Sequence, residues 1–333
     1  MLGPGQSKLI FSLCAIAALA LSAVPLRAAT PTQTPVWPQR PVHFILPFGP
    51  GAGIDITARL LADKLSAKWG QPVVVENKPG GDAIVAIQAV LEAHDDHVLL
   101  FAPASAFTAH AYLHDSVPYN PADLIPIARV TNTIIGFAVP ASLELSTVKD
   151  FVAAVRAAPG KLNYASVTGA NDLLFESFLK LEKLEMAKVP YKDPVQAVND
   201  LGEGRIHAYV AAYAIERPQV GNGKVKVLAL TNPKRAASLP DIPTAQEVGF
   251  KSLTIDGLTG LFASPGIPLA LRERIAAEIG GILADPAISA RLTVTGQVVN
   301  PGTPEEFAAA IADQRDTVAE IGRTLGIKPA GHQ

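Results

Sequence analysis

The sequence predicts an α/β protein with two lobes, and three observations carry that expectation. Short β-branched runs alternate with amphipathic stretches of helical length, an order that argues for parallel sheets covered on both faces. Roughly 305 residues follow an N-terminal leader, more than one hydrophobic core usually serves. Hydrophobic residues make up 49% of the chain and aromatics 6%, which suits an Ala/Val/Leu-rich interior of packed sheets and helices.

Residues 1–29 have the pattern of a secretory signal peptide. Lys8 supplies the positive start, residues 9–24 are apolar, and Ala28 or Ala29 offers a small residue for cleavage. A membrane anchor is the alternative, but the run is shorter than the ~20 residues a span needs, and a Pro/Thr linker at residues 30–36 follows it. Cys14 lies within the apolar run, and Leu13 before it is larger than lipid attachment normally accepts. The processed chain then holds no cysteine, so neither a disulfide framework nor thiol chemistry is expected. Losing Lys8 and Arg27 takes the basic residues from 28 to 26 against 30 acids and the net charge from −2 to −4, which gives no electrostatic case for nucleic acid.

The first strand is residues 42–47, a short apolar run closed by Pro47. Gly49, Pro50, Gly51 and Gly53 force a turn, and from Ile54 the apolar positions Ile54, Ala58, Leu61 and Leu65 give helical spacing over 54–69. Further strands are expected at 72–76, 98–102, 134–139, 162–165, 206–213 and 225–230, and helices at 82–93, 147–158, 172–184 and 194–202. The C-terminal part changes character: helices at 268–284, 286–295 and 304–325 each have Pro near the start, and no strand separates the last two. No internal repeat is present.

The chemistry of the first turn follows from its backbone. A glycine-lined turn feeding a helix leaves unpaired N–H groups above the strand's C-terminal edge, and the amides and helix dipole together favour a carboxylate or phosphate. A plain structural turn is the other reading, since the segment lacks both the Gly-Lys-Ser/Thr of a phosphate loop and the dinucleotide fingerprint spacing.

Catalytic and metal-binding patterns are weak. His94, Asp95, Asp96 and His97 cluster in a turn between a helix and a strand, and HxxH alone is poor support for zinc. His110 and His114 are four apart in "HAYLH", on one face if helical, but no third ligand stands at a suitable spacing. There is no Gly-x-Ser-x-Gly elbow and no recognisable general acid/base pair. Neither enzyme activity, a metal nor a cofactor is expected.

Seven segments carry a family resemblance: "WPQRPVHFILPFGPGAGIDITARLLADKLSAKWGQPVVVENKPGG", "YNPADLIPIARV", "KLNYAS", "VPYK", "GKVKVLALTNPKRAASLPDIPTAQEVGF", "GLFASPGIP" and "PGTPEEFAA". In this order they resemble the signature blocks of the Bug family, TctC-like periplasmic solute-binding proteins of tripartite tricarboxylate transporters. The resemblance runs from Trp37 to about Lys328. It implies a type II-like, two-lobed periplasmic binding protein with two chain crossovers, residues 37–137 plus 254–330 forming one lobe and 138–253 the other. A small organic acid would bind in the interlobe cleft, without covalent chemistry, and be delivered by a monomer to membrane permease subunits. A sensor that presents its closed form to a membrane histidine kinase is the alternative.

Carried over by position, the resemblance implies ligand contacts from Phe48, Gly51, Ala52, Gly53, Ile54 and Asp55 in the first loop and Gly81 and Asp82 in the second. It adds Ala104 and Ser105, then Ser166, Thr168 and Asn171, Tyr191 and Asp193, and Tyr213 from the opposing lobe. The chain departs from the family pattern at these loops. The second loop is one residue shorter and reads Gly81, Asp82, Ala83, Ile84, the serine-rich turn appears as "SVTGANDLL", and "VPYKG" becomes "VPYKD". An aromatic before "GLF" is replaced by Leu258 and Thr259. Asp82, Asp172, Asp193 and Asp256 thus stand where the family has neutral residues. Helix capping is one explanation for them, with Asp82 and Asp172 beginning helices and Asp193-Pro194 forming an N-cap. The other is direct contact with a less anionic ligand, such as an amino acid or amide. Asp55 belongs to the family pattern and is expected to cap its own loop.

Overall fold

The structure is a computed structural model that describes residues 37–167 and 169–331. The leader at 1–29, the linker at 30–36 and Thr168 lie outside the described residues. The first half of the chain forms β1 (Val42–Leu46), α1 (Gly53–Trp69), β2 (Val73–Asn77), α2 (Ile84–Ala93), β3 (Val98–Pro103), the one-turn α3 (Ser105–Thr108) and α4 (His110–Leu113), β4 (Ile125–Thr133), β5 (Ile135–Pro140) and α5 (Val148–Ala157). It continues with β6 (Asn163–Ser166), α6 (Ala170–Leu181), β7 (Ala187–Pro190), α7 (Pro194–Gly202), β8 (Tyr209–Ala212), α8 (Tyr213–Gly221) and β9 (Val225–Leu230). The tail holds β10 (Leu258–Ala263), α9 (Leu269–Leu283), α10 (Pro286–Thr293), β11 (Gln297–Gly302) and α11 (Pro304–Leu325).

The larger sheet has the order β11-β4-β10-β3-β1-β2. Strand β1 pairs in parallel with β2 and β3, as the βαβ alternation predicts. Strand β10 runs antiparallel to both β3 and β4, and β11 antiparallel to β4. The smaller sheet, β8-β5-β9, is antiparallel, and β6 pairs in parallel with β7. Main-chain bonds from His207 N to Asn163 O (3.1 Å) and Ala165 N to Ala208 O (3.0 Å) join β6 to the segment entering β8. The sheets are therefore mixed where purely parallel ones were expected. The tail returns to insert β10 between β3 and β4, and pairing over such a separation leaves no mark on local periodicity. Strand β11 likewise separates the last two helices, where no strand was expected, because its register against β4 supplies what its two valines alone do not.

The chain leaves the larger sheet at Thr133 and enters the smaller one at Ile135. Phe137, assigned to the first lobe from sequence, consequently sits in the second core, where its ring meets Phe151 edge-on at 5.0 Å and lies 5.5 Å from Phe175. The return passage runs through Ile255, still in the second core, to Leu258 in the first. Helix α11 serves both cores: Phe307 and Ile311 pack in the first, Val318 and Ile321 in the second. At ~1.5 Å per residue its 22 residues reach about 33 Å, long enough to do so. No helix among the described residues is long and apolar enough to cross a membrane.

Candidate ligand-binding site

The first predicted loop is held open by one acid. Asp55, 2% exposed, accepts hydrogen bonds from Gly51 N (2.9 Å), Asn77 Nδ2 (2.9 Å), and Arg59 Nε and Nη2 (both 3.0 Å). Arg59 Nη2 also donates to Asn77 Oδ1, and Asn77 Nδ2 to Phe48 O, so the turn is stapled to the end of β2. Burial pushes the Asp55 carboxyl up, but the bonds from Arg59, Asn77 and Gly51 outweigh it and hold the group below the usual range. Gly51 adopts φ 88°, a left-handed geometry that glycine takes without strain. Gly53 opens α1 so close to a neighbour that a methyl there would lie 2.7 Å from Thr295 O. Asp55 therefore caps its own loop, as expected.

Helix capping divides the molecule. Helices α5, α7, α10 and α11 carry side-chain caps from Thr147, Asp193, Asp285 and Thr303. Helices α1, α2, α6 and α8 begin after Ala52, Ala83, Gly169 and Ala212, none of which gives a side-chain cap; α9, after Pro268, and the one-turn α3 and α4 share that lack. Those first four are the helices that follow the first loop, the second loop, the "SVTGAN" turn and the β8 edge. Their leading N–H groups have no intrahelical acceptor, so each terminus carries a partial positive charge and presents those donors that no other acceptor meets, the first N–H of α8 being already bound to Ile134 O. In α8, burial drives the Glu216 carboxyl well above the usual range, against a smaller opposing pull from the Ala211 main chain. The neutral form this favours leaves the dipole uncancelled. The turn before β11 joins two of these termini: Thr295 abuts Gly53, while a methyl on Gly296 would lie 3.1 Å from Ala214 Cβ, and Arg217 Nη1 donates to Val294 O at 2.6 Å.

The second loop is left-handed throughout. Gly80, Gly81, Asp82 and Ala83 have φ of 127°, 56°, 52° and 74°, and the two non-glycine residues each cost ~1–2 kcal/mol there. Asp82 does not cap a helix, because α2 starts two residues later; its Oδ2 lies 3.3 Å from His114 Nε2 and 3.6 Å from His110 Nε2. The third ligand that the "HAYLH" spacing lacked in sequence is supplied by this loop. Burial lowers the His110 pKa, with Asp82 opposing, and the imidazole is held neutral. The His94–His97 turn is organised otherwise: Asp95 pairs with Arg40 at 2.6 Å, and His97 Nδ1 lies 2.5 Å from Asp96 Oδ1.

Of the other positions, Ala104 is fully buried, its N–H bound to Leu258 O at 2.8 Å and its carbonyl accepting from Phe107 N and Thr108 N, so its polar atoms are spent within the fold. Ser105 begins α3 beside it. Ser166 is buried and its hydroxyl donates to Asp172 Oδ2 at 2.8 Å, which Lys188 Nζ also reaches at 3.0 Å. Asp172 thus has a structural partner but does not begin its helix, since α6 starts at Ala170 with Asn171 second. Burial raises the Asp172 pKa in spite of Ser166 and Lys188. Tyr191 spends its hydroxyl on Asp200 at 2.7 Å, and Asp193 caps α7 through Val195 N at 2.8 Å, as the Asp-Pro pair predicts. Tyr213 opens α8 and its N–H binds Ile134 O at 2.8 Å. Asp256 is partly buried and engaged by the protein, accepting from Asn132 (2.6 Å), Asn232 (3.1 Å) and Gly257 N (2.9 Å).

Arg59, Asn77 and the Thr295–Gly296 turn shape this region and were missed from sequence. The i,i+4 spacing of Asp55 and Arg59 was legible as a helix-surface pair, whereas Asn77 and Thr295 arrive from distant segments with no local signal.

The sequence profile of the tripartite tricarboxylate transporter family receptor, TctC, matches residues 57–327. Protein BugT of Bordetella pertussis is 28% identical over 305 residues, which cover 90% of this chain and 94% of BugT. Among solved structures, R. palustris Rpa4515 with adipate aligns with a TM-score of 0.77 at 25% identity, over 88% of this chain and 99% of that one. MatC from Rhodopseudomonas palustris with bound malate aligns with a TM-score of 0.69, also at 25% identity, over 84% and 99%. The chain belongs to the TctC family of tripartite tricarboxylate transporter receptors, two-lobed periplasmic solute-binding proteins of the Bug type that bind their solutes and are not enzymes.

Proposed function

We propose that this receptor is exported by its leader, captures a small dicarboxylate in a cleft between its lobes, and delivers it to the permease subunits of a tripartite tricarboxylate-type transporter. The observation that carries the reading is the lack of a side-chain cap on each of the four helices that follow the predicted ligand loops, at Ala52, Ala83, Gly169 and Ala212. Amide donors and the helix dipole at such a terminus favour carboxylates, and the turn before β11 brings the α1 and α8 termini together. The adipate and malate held by two structural relatives support the same ligand class. An amino acid or amide is less well supported, because Asp193 caps α7, Asp172 is engaged by Ser166 and Lys188, and Asp256 is engaged by Asn132 and Asn232. Backbone amides of residues 51–55, with Ser166 and Asn171 across the cleft, are the contacts we assign. The lobes divide in this reading at Ile134 and near Asp256.

Melting temperature of the processed protein against a panel of dicarboxylates, amino acids and amides tests this. A ligand at a hundred times its Kd stabilises by about 2.7 kcal/mol, so a binding acid gives a clear upward shift. A shift confined to amino-bearing or uncharged compounds would overturn the acid reading, and so would no shift with any dicarboxylate.

A further inference from the structure

The second loop and the α4 segment bring together three side chains that solute binding does not account for. Asp82, His110 and His114 each offer one ligating atom within 4.8 Å of the others, and Asp82 Oδ2 lies 3.6 Å from His110 Nε2 and 3.3 Å from His114 Nε2. A tetrahedral dication with ligand bonds of ~2.0–2.1 Å separates its donor atoms by about 3.3 Å. The His110 side chain is fully buried and its Nε2 has no hydrogen-bond partner, so a polar atom in the interior points at the carboxylate unsatisfied. Its other nitrogen, Nδ1, lies 2.6 Å from the Tyr119 hydroxyl. In histidine metal ligands that second hydrogen bond fixes the tautomer and aims the ligating nitrogen. With Nδ1–H donating to the Tyr119 oxygen, the tautomer that a bound cation would select, the Nε2 lone pair faces Asp82.

The backbone sets the convergence. His114 N bonds His110 O at 3.0 Å, which places the two imidazoles one turn apart on one face, and their rings cross at 83° instead of stacking. The left-handed turn Gly81–Ala83 swings the Asp82 side chain onto that face. A lone His114–Asp82 hydrogen bond would leave His110 Nε2 stranded, whereas one cation satisfies all three groups. Two imidazole nitrogens and one carboxylate oxygen suit Zn2+, Co2+, Ni2+ or Cu2+, not the all-oxygen preference of Ca2+ and Mg2+.

We propose that Asp82, His110 and His114 form a binding site for one divalent transition-metal cation of the Zn2+ class, with a fourth position open to water beside the partly exposed Asp82 and His114. The site adjoins the α2 terminus at Ala83 that the solute reading uses, and a cation there would cancel the Asp82 charge on the second loop.

Untagged protein, stripped with chelator, is titrated with Zn2+ by calorimetry and with Co2+ by visible absorption near pH 7.5. We expect one Zn2+ per chain and ligand-field bands from Co2+. Asp82→Asn and His114→Ala, both at partly exposed positions, should each weaken Zn2+ binding by at least about tenfold while keeping the wild-type unfolding midpoint in chelator. Asp96→Asn, in the other Asp/His turn, should leave binding unchanged. No Zn2+ uptake at micromolar metal, uptake that survives both Asp82→Asn and His114→Ala, or uptake abolished by Asp96→Asn would each overturn the proposal.

Discussion

Ala52 has φ −62° and ψ 152°, the extended geometry of a helix N-cap, and it is partly exposed, so a larger side chain fits there. Replacing it with Asn or Asp supplies the oxygen that α1 lacks, aimed at the N–H of Ile54 or Asp55. A cap of this type is worth ~0.5–2 kcal/mol relative to Ala, and in a protein of this size roughly 2–4 °C in Tm per kcal/mol. If those N–H groups seat a ligand carboxylate, the cap competes with it. Losing one charge-assisted hydrogen bond costs about 1.5–3 kcal/mol, so Ala52→Asn should bind its acid roughly 10- to 100-fold more weakly while melting higher. Ala52→Asp should be weaker still, since two charges ~5 Å apart at intermediate dielectric repel by about 3 kcal/mol. Thr303→Ala is the counterpart on a helix with a structural cap. It removes a capping box in which Glu306 N meets Thr303 Oγ1 at 3.1 Å and Thr303 N meets Glu306 Oε2 at 2.9 Å. That variant should lose ~1 kcal/mol of stability and keep its affinity. Denaturant unfolding and calorimetry with the best dicarboxylate read both quantities. A stabilised Ala52→Asn protein that binds the acid as the wild type does would refute the reasoning, because its N–H groups would be engaged by the cap and irrelevant to the ligand.

Asp55→Asn points an amide toward Arg59 and Asn77, and should cost about 2–3 kcal/mol in urea unfolding, discounted from the ~3–5 kcal/mol of a fully buried pair because Arg59 is half exposed. The Asp55 pKa is depressed in the folded state, so its contribution is present above the unfolded value of ~3.9 and disappears on acidification; the two proteins should converge below about pH 4. Glu216 has the opposite sign: its raised pKa stabilises fully below the unfolded value of ~4.3 and is lost as pH climbs toward the folded one. Glu216→Gln should remove that decline, of at most ~1.4 kcal/mol per pH unit, from unfolding curves measured across the acid-to-neutral range. A methyl on Gly257 would lie 2.3 Å from Thr133 O, so Gly257→Ala should destabilise by about 1–3 kcal/mol, again read by urea unfolding.

Much of the first lobe was legible because its signals are local. Pro47, the glycines at 49, 51 and 53, and the spacing of Ile54, Ala58, Leu61 and Leu65 gave the strand, turn and helix, and all four of those helix positions are buried. The caps at Asp193 and on α11 were legible because the N-cap residue stands next to proline. Elements missed from sequence depend on distant partners. Strand β10 carries Gly260, a poor strand former, yet a methyl there would sit 2.3 Å from Ala128 O, so the neighbouring strand leaves no room for a side chain. Helix α8 contains Pro218 and reads as a break. Asp172 reads as a helix start because it is acidic, but an acid can equally sit two residues into a helix when a lysine such as Lys188 arrives from a strand. The Asp82, His110 and His114 cluster was half legible, since the His spacing is local and the carboxylate is not.

The passages between the two sheets share a polar construction. Ile134 gives its N–H to Gly296 O at 2.9 Å, beside the larger sheet, and its carbonyl accepts from Tyr213 N at 2.8 Å, in the smaller lobe. Asn232 ties the passages to each other: its Nδ2 donates to Thr133 O (2.9 Å) and to Asp256 Oδ1 (3.1 Å), and its Oδ1 accepts from Ile135 N (2.9 Å). Gln314, buried midway along α11, donates to Asp256 O at 2.7 Å. Two strands and one helix are therefore linked at a single cluster of directional hydrogen bonds, with an apolar core on either side. Tightly packed cores resist continuous deformation, so any closure of the two lobes around a solute would have to be absorbed by a few residues between them. Placed there, a polar network restricts the chain to the few geometries that keep its bonds, and a ligand need favour one of them by only a few kcal/mol to populate it. In the proposed reading, affinity would then be tunable at Asn232 or Asp256 through closure alone, separately from the recognition proposed at the helix termini.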